Sequence, residues 1–217
     1  MTKAMTIHSA PTSHLSGDGG ELPKRQEIIE GARQVFRAAG FDGASMAQIA
    51  RAAGVSKGTL YVYFASKEAL FEALVVQDRR KAAEAMFQVD EGESDVRTLL
   101  TRLGVSFVTI MVRPDHIALI RMVMAAAEKF PGVGRVFFET GPCFGMARLA
   151  AILEKRVEDG SLAISGDIEL AASQFFALCQ GKLVKPLLFG IGEAPTTEEI
   201  RATVDSAVEV FMKAYGA

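Results

Sequence analysis

The sequence predicts an all-α protein, and three observations carry that prediction. Apolar residues recur at three- and four-residue steps along most of the chain, and no strand-like alternation interrupts them. Helix-start residues stand ahead of these stripes at Ser45, Ser56, Ser66, Ser94, Asp167 and Thr196. Hydrophobic residues make up 49% of the chain, with no Trp, which suits a helical core rather than an open or disordered chain. The 217 residues are enough for one large domain or two small ones, and there is no internal repeat.

Residues 1–21 are rich in Ser, Thr, Gly, Pro and His and read as a disordered tail; His8 and His14 there belong to a solvated segment rather than a metal tract. A first helix is expected from about Pro23, a residue suited to a first turn, to Ala39. Ile28, Ile29, Ala32, Val35 and Phe36 form its apolar stripe, and Gly40 is a natural stop. Phe41–Ala44 then turns into S-M-A-Q-I-A-R-A-A-G-V-S-K-G-T-L-Y-V-Y-F, residues 45–64. Here Ser45 and Gln48 hold capping-box spacing, and Met46, Ile49, Ala50 and Ala53 share one face. Gly54 can take the left-handed conformation that ends a helix, with Val55 tucked beneath. Ser56 caps a second short helix around a buried Leu60. Two short helices crossing closely at small residues are the requirement of a helix-turn-helix, whose second helix enters the DNA major groove.

Ser66 caps a long helix from Lys67 to about Phe87, with Leu70, Phe71, Leu74 and Val75 facing a core. Its polar stretch Gln77–Lys81 reads as a connector, and Val89–Ser94 as a loop. These features divide the chain into a tail (1–21), a helix-turn-helix domain (22–66), a connecting helix and loop (67–93) and a second helical domain (94–217). In that second domain, Ser94 and Pro114 open helices and Pro131 a longer stretch to near Gly160, with Gly141-Pro142 predicting a kink or break in it. Asp167 caps a helix running through Pro186 to Leu187, and Thr196 with Glu199 forms a capping box for the last helix.

Net charge is −2, so DNA affinity must come from a local basic cluster. Cys143 and Cys179 lie far apart and form no C-x-x-C, which argues against a zinc site or disulfide framework. No run of about 18 uncharged apolar residues predicts a membrane span, and the N-terminus lacks the apolar run of a signal peptide, so a cytoplasmic protein is expected. G-V-S-K-G, residues 54–58, matches a nucleophile-elbow pattern, but an amphipathic helix precedes it where a strand is required. No catalytic set and no cofactor motif emerge.

The run G-V-S-K-G-T-L-Y-V-Y-F-A-S-K-E-A-L-F, Gly54–Phe71, resembles the TetR family of bacterial transcriptional regulators, as do the preceding S-M-A-Q-I-A-R-A-A and the first helix with Phe36 and Gly40-Phe41. The passage P-x-x-x-x-x-F-x-x-x-G-P from Pro131 looks like one C-terminal subgroup of that family. The resemblance implies a homodimer whose N-terminal domains bind a palindromic double-stranded DNA operator and whose C-terminal domains hold a small-molecule effector. Lys57, Thr59 and Tyr61 fall where the family reads DNA, and Tyr63 and Lys67 where it touches phosphates. Ser45 falls where the backbone at the start of the second helix is held, and Gly58 permits close approach. Leu60 and Phe64 are core residues and Arg51 a solvated charge. Val62 departs from the polar or basic residues common there, which shifts readout toward Lys57, Thr59 and Tyr61.

For the effector, the soft apolar set Phe107, Met111, Met122, Phe137, Phe138, Cys143, Phe144, Met146 and Phe175 is the expected lining, although the same spacing also makes ordinary core, and His116 is either its polar anchor or, the favoured reading, a surface or hydrogen-bonded buried side chain. Dimerisation is expected through the last two helices: Ala171, Ala172, Phe175, Cys179 and Leu183 on one, Val204, Ala207, Val208 and Phe211 on the other. The regulator is most simply a repressor released by its effector. The competing readings are a helical ligand carrier or enzyme with a vestigial helix-turn-helix, and a helical protein-interaction module.

Overall fold

The computed structural model describes residues 18–88 and 93–217, with side chains from residue 23 onward. The tail expected over 1–17 and most of the loop around 89–92 lie outside the described residues. Eleven α-helices and one π-helical turn make up the described chain: α1 Asp18–Gly43, α2 Met46–Ala52, α3 Lys57–Tyr63, α4 Lys67–Met86, α5 Val96–Met111, α6 Pro114–Ala127, α7 Pro131–Phe138, the π-turn Glu139–Cys143, α8 Phe144–Glu158, α9 Ile168–Gln180, α10 Val184–Leu188 and α11 Thr197–Tyr215. The described residues contain no strand, only an isolated bridge between Leu162 and Gly216.

Several boundaries differ from the sequence expectation, each for a local reason. Helix α1 starts at Asp18, so 18–21, assigned to the tail, is helical, and Pro23 lies inside the helix. Proline carries no backbone N–H, so α1 lacks one ladder bond at this position. Asp95, not Ser94, caps α5: its carboxylate accepts from Thr98 N–H at 2.9 Å. The helix opened by Asp167 ends at Gln180, because Gly181 (φ 45°) turns the chain before α10. Gly141-Pro142 neither breaks nor sharply interrupts its helix. A π-turn absorbs it, and Thr140 Oγ1 donates to the Val136 carbonyl at 2.6 Å. A proline lacks the N–H of the ordinary ladder, and a π-turn is a way to keep the helix continuous around that gap. The resulting helix, Pro131–Glu158, is long and apolar enough by length and composition to cross a membrane. It carries Arg135, Glu139, Arg148 and Glu154, however, and buries Val133, Leu149, Ile152 and Leu153 inside the protein.

Two cores form. The first joins α1–α3 and the first half of α4 (Leu70, Phe71, Leu74, Val75) to Leu119, Val123 and Ala126 of α6 and Val133 of α7. The second is built by α5, α8, α9 and α11 and reaches Met86 at the far end of α4. One helix therefore contributes to both cores, and the N-terminal core draws on residues well beyond position 66. A ring cluster marks the junction. Gly40 (φ 70°) lets the chain fold back, so that Phe41 lies 5.1 Å from Phe71 and 5.4 Å from Phe130, ahead of α7. Such pairs add about 0.5–1.5 kcal/mol each beyond their buried area.

Close helix crossings rest on two glycines. A Cβ on Gly31 would sit 2.6 Å from Ala53 N, and one on Gly104 would sit 2.7 Å from Val204 Cγ1 and 3.1 Å from Cys179 Sγ. The second crossing presses α5 onto α9 and α11, and it decides the fate of the expected dimer face. Ala171, Ala172, Phe175, Cys179, Val204, Ala207, Val208 and Phe211 are all buried within the monomer, and Leu183 packs partly against the same core. Phe175 and Phe211 meet edge to face at 5.4 Å. That stripe holds the chain's own helices together and is not available to a second copy. Both cysteines are free thiols, and burial pushes the Cys179 thiol up to about 12.

Candidate nucleic-acid interface and interdomain cavity

The α2–turn–α3 unit is assembled by local chemistry. Ser45 and Gln48 close a reciprocal capping box: Gln48 N–H donates to Ser45 Oγ at 3.3 Å, and Ser45 N–H donates to Gln48 Oε1 at 2.9 Å. At the other end of α2, Gly54 (φ 65°) supplies a Schellman turn, with Gly54 N–H on Arg51 O at 3.2 Å and Val55 N–H on Ala50 O at 3.0 Å. Ser56 then caps α3 through Thr59 N–H at 3.0 Å. Leu60 is fully buried and Phe64 nearly so, which fixes the roll of α3 about its axis.

That roll sorts the candidate DNA-contacting residues. Lys57, Gly58 and Tyr61 are exposed, with Lys57 Nζ lying 5.9 Å from the centre of the Tyr61 ring. Val62 is 83% exposed, an isolated apolar side chain on the outward face. Thr59 is half-buried and its hydroxyl lies 2.8 Å from Ser56 Oγ; Tyr63 is half-buried against the N-terminal core. A Cβ on Gly58 would meet only Ser56 Oγ at 3.7 Å, so nothing inside the protein demands glycine there. Ser45 is engaged in its capping box. Lys67 stands apart from the group. Its ammonium donates to the carbonyls of Phe41 (2.7 Å), Ala44 (3.0 Å) and Asp42 (3.5 Å) and lies 4.5 Å above the Phe41 ring. All three contacts are with the last turn of α1 and the residue after it, so in this structure the ammonium pins that end of the helix.

The expected effector lining does not converge. Phe175 and Phe107 belong to the second core, and Met111 and Met146 pack against it. Met122 and Phe137 pack against the first core. Phe138 and Phe144 are about half exposed, and Cys143 sits part-exposed on the π-turn. Only His116 of the set lines a described cavity, one of about 280 Å³ between α1, α4, α5 and α6. A larger surface groove of about 640 Å³ between α5 and α11 holds Arg97, Arg102 and Arg201, each already paired with Glu209, Glu93 or Asp205.

The sequence reading missed Arg79. It falls in the polar stretch taken for a connector, yet it is 5% exposed. Its guanidinium donates to His116 Nδ1 at 2.5 Å and lies 4.8 Å from the centre of the Phe137 ring. A Cβ on Gly141 would come within 2.8 Å of Arg79 Cδ, so the π-turn makes room for this side chain. Burial lowers Arg79 to about 10. Burial first, and the Arg79 charge second, hold His116 down at about 3, so the ring is neutral and Nδ1 accepts. The unfolded chain binds a proton on this histidine near pH 6.5 and the folded one does not, so its contribution is intact above pH 6.5 and lost as pH falls toward 3. At pH 5 the loss is roughly 2 kcal/mol. His116→Gln keeps an acceptor without titrating, and it is expected to flatten the fall in thermal stability between pH 6.5 and pH 5 relative to wild type.

Known proteins match on both halves. The profile described as bacterial regulatory proteins, tetR family, matches residues 28–74, and the profile described as AefR-like transcriptional repressor, C-terminal domain, matches residues 98–217, more than half of the chain. The chain belongs to the TetR family. Among solved structures, a TetR-family transcriptional regulator of Mesorhizobium loti MAFF303099 superposes with a TM-score of 0.83 at 28% identity, over 92% of this chain and 100% of that one. The flavonoid-responsive regulator FrrA superposes at 0.79 with 31% identity, over 89% and 97%. The HTH-type transcriptional regulator UidR of Escherichia coli K12 is 41% identical over 70 residues, 32% of this chain and 36% of UidR. The HTH-type transcriptional repressor AcnR of Corynebacterium glutamicum ATCC 13032 is 39% identical over 74 residues, 33% and 39% of the two chains. These alignments thus cover little more than a third of the curated relatives' length.

Proposed function

We propose that this TetR-family protein is a cytoplasmic, homodimeric repressor that binds a palindromic DNA operator and is released by a small-molecule effector. One observation carries the reading: the exposed face of α3, held by a capped helix and a Schellman turn, offers Lys57, Gly58, Tyr61 and Val62 to a partner. A lysine and a tyrosine hydroxyl suit phosphates and base edges, and an exposed valine suits a thymine methyl. The names UidR and AcnR, both HTH-type regulators, support the same reading.

Dimerisation belongs to the outward faces of α9 and α11, which expose Leu170, Ala177 and Leu178 on one helix and Ala202, Ser206 and Val210 on the other. These replace the buried stripe in the role expected of the last two helices. The face is apolar and small-featured, as two-fold helix packing requires. The two α3 helices of such a dimer must reach successive major grooves, about 34–36 Å apart. An effector that shifts the C-terminal bodies by a small amount then misplaces them. The test is fluorescence anisotropy on the duplex upstream of the protein's own gene, at physiological salt. Two protomers per duplex and strong preference over scrambled DNA are expected. Equal affinity for scrambled DNA would sink the proposal.

A further inference from the structure

Arg79 is a buried cation that Asp78 and Asp115 act on only at a distance. Among the described residues it forms no ion pair: its polar neighbour is a neutral histidine, and its Nε has no hydrogen-bond partner. His116 Nε2 is also buried and unpartnered. An isolated buried charge is strongly unfavourable, and natural proteins keep one where something else neutralises it. Both residues line the 280 Å³ cavity. Five of its lining side chains are cationic and two are carboxylates. Those carboxylates are taken: Asp78 bonds Arg33 at 2.5 Å, and Asp115 bonds Arg113 at 2.8 Å. The rest of the lining is apolar, with Ala82, Ala85, Ile110 and Leu119. Phe137 and Gly141 hold Arg79 in place from the far side.

We propose that this cavity binds a small aromatic carboxylate, its carboxylate paired with the Arg79 guanidinium and its ring against the wall of α4, α5 and α6. The volume suits a molecule of one or two rings and falls just below the usual range of ligand pockets. The proposal rests on the reading of the protein as effector-responsive, because the cavity is placed to report its occupancy. Arg33 and Arg37 of α1 line it together with α4 and α6, and the Arg33–Asp78 pair ties α1 to α4. A guest anion draws on the same arginines and so acts on the seating of α1, the helix that carries α2 and α3.

Isothermal titration of the full chain with benzoate, with benzamide as its neutral isostere and sulfate as an inorganic anion, tests the site without any DNA present. Its failure is therefore distinct from a failure to bind an operator. Benzoate is expected to bind wild type at least tenfold more tightly than benzamide or sulfate does. Arg79→Met removes the uncompensated charge, keeps an apolar stem and is expected to fold while losing at least tenfold in benzoate affinity. Arg113→Gln changes an exposed side chain, leaves Asp115 at the cavity with only its longer pair to Arg37 (3.7 Å) and is expected to weaken benzoate several-fold, so the test survives a poorly folding Arg79 variant. No benzoate binding by wild type, equal binding by sulfate, or unchanged affinity in either folded variant would overturn the proposal.

Discussion

Gly31→Ala is expected to destabilise the protein by about 3 kcal/mol, the upper end of ordinary overpacking. The methyl group would meet Ala53 N at 2.6 Å, Ala53 Cβ at 2.7 Å and Ala53 Cα at 2.8 Å. Two of those atoms are backbone, and they lie at the end of α2 where the Schellman turn begins, so neither helix can yield without tilting α3. For a chain of this size the loss corresponds to roughly 6–12 °C in melting temperature. Gly43→Ala is the matched control. Its added Cβ would meet only Ala39 Cβ at 3.5 Å, an ordinary contact, and its melting temperature is expected to stay within about 2 °C of wild type. Differential scanning calorimetry on both variants checks the pair. Equal melting temperatures would mean that the α1–α2 crossing is looser than described.

Lys67→Met is expected to cost about 2 kcal/mol of stability, through the loss of a charged donor from three carbonyls and of the cation above Phe41. The methionine keeps the apolar stem, so the change isolates the ammonium. The carbonyls belong to the last turn of α1 and to Ala44 just after it, where Phe41 also meets Phe71 and Phe130. Loosening that turn disturbs the contact between the helix-turn-helix and the C-terminal body. Chemical denaturation separates this role from a phosphate contact. A phosphate-contacting lysine would leave the unfolding midpoint unchanged and lower only the DNA affinity and its salt dependence.

What could be read from the sequence was what local chemistry decides. The caps at Ser45, Ser56, Ser66, Asp167 and Thr196 each form, because a hydroxyl or carboxylate three residues before an orphan N–H needs no distant partner. Gly54 ends α2 for the same reason. The features that escaped depend on what lies across the fold. Gly31 sits within an ordinary helical stripe, and only the crossing with Ala53 explains it. Arg79 stands among polar neighbours on α4, and its burial follows from His116 of α6, Phe137 of α7 and the π-turn at Gly141 packing against it. The stripe assigned to dimerisation is buried within the monomer, because periodicity identifies an apolar stripe without saying whether a helix of the same chain already covers it. The effector residues scattered because apolar positions on successive helices face two different cores.

The account rests most heavily on the outward face of α3. Anisotropy titration of wild type and the double variant Lys57→Ala, Tyr61→Ala on the upstream duplex tests that face directly, since both side chains are exposed and leave the core intact. Each lost contact is expected to cost about 1–3 kcal/mol. The variant is therefore predicted to bind at least tenfold more weakly with its melting temperature unchanged. Equal affinity at an equal melting temperature would contradict the assignment of α3 as the reading helix.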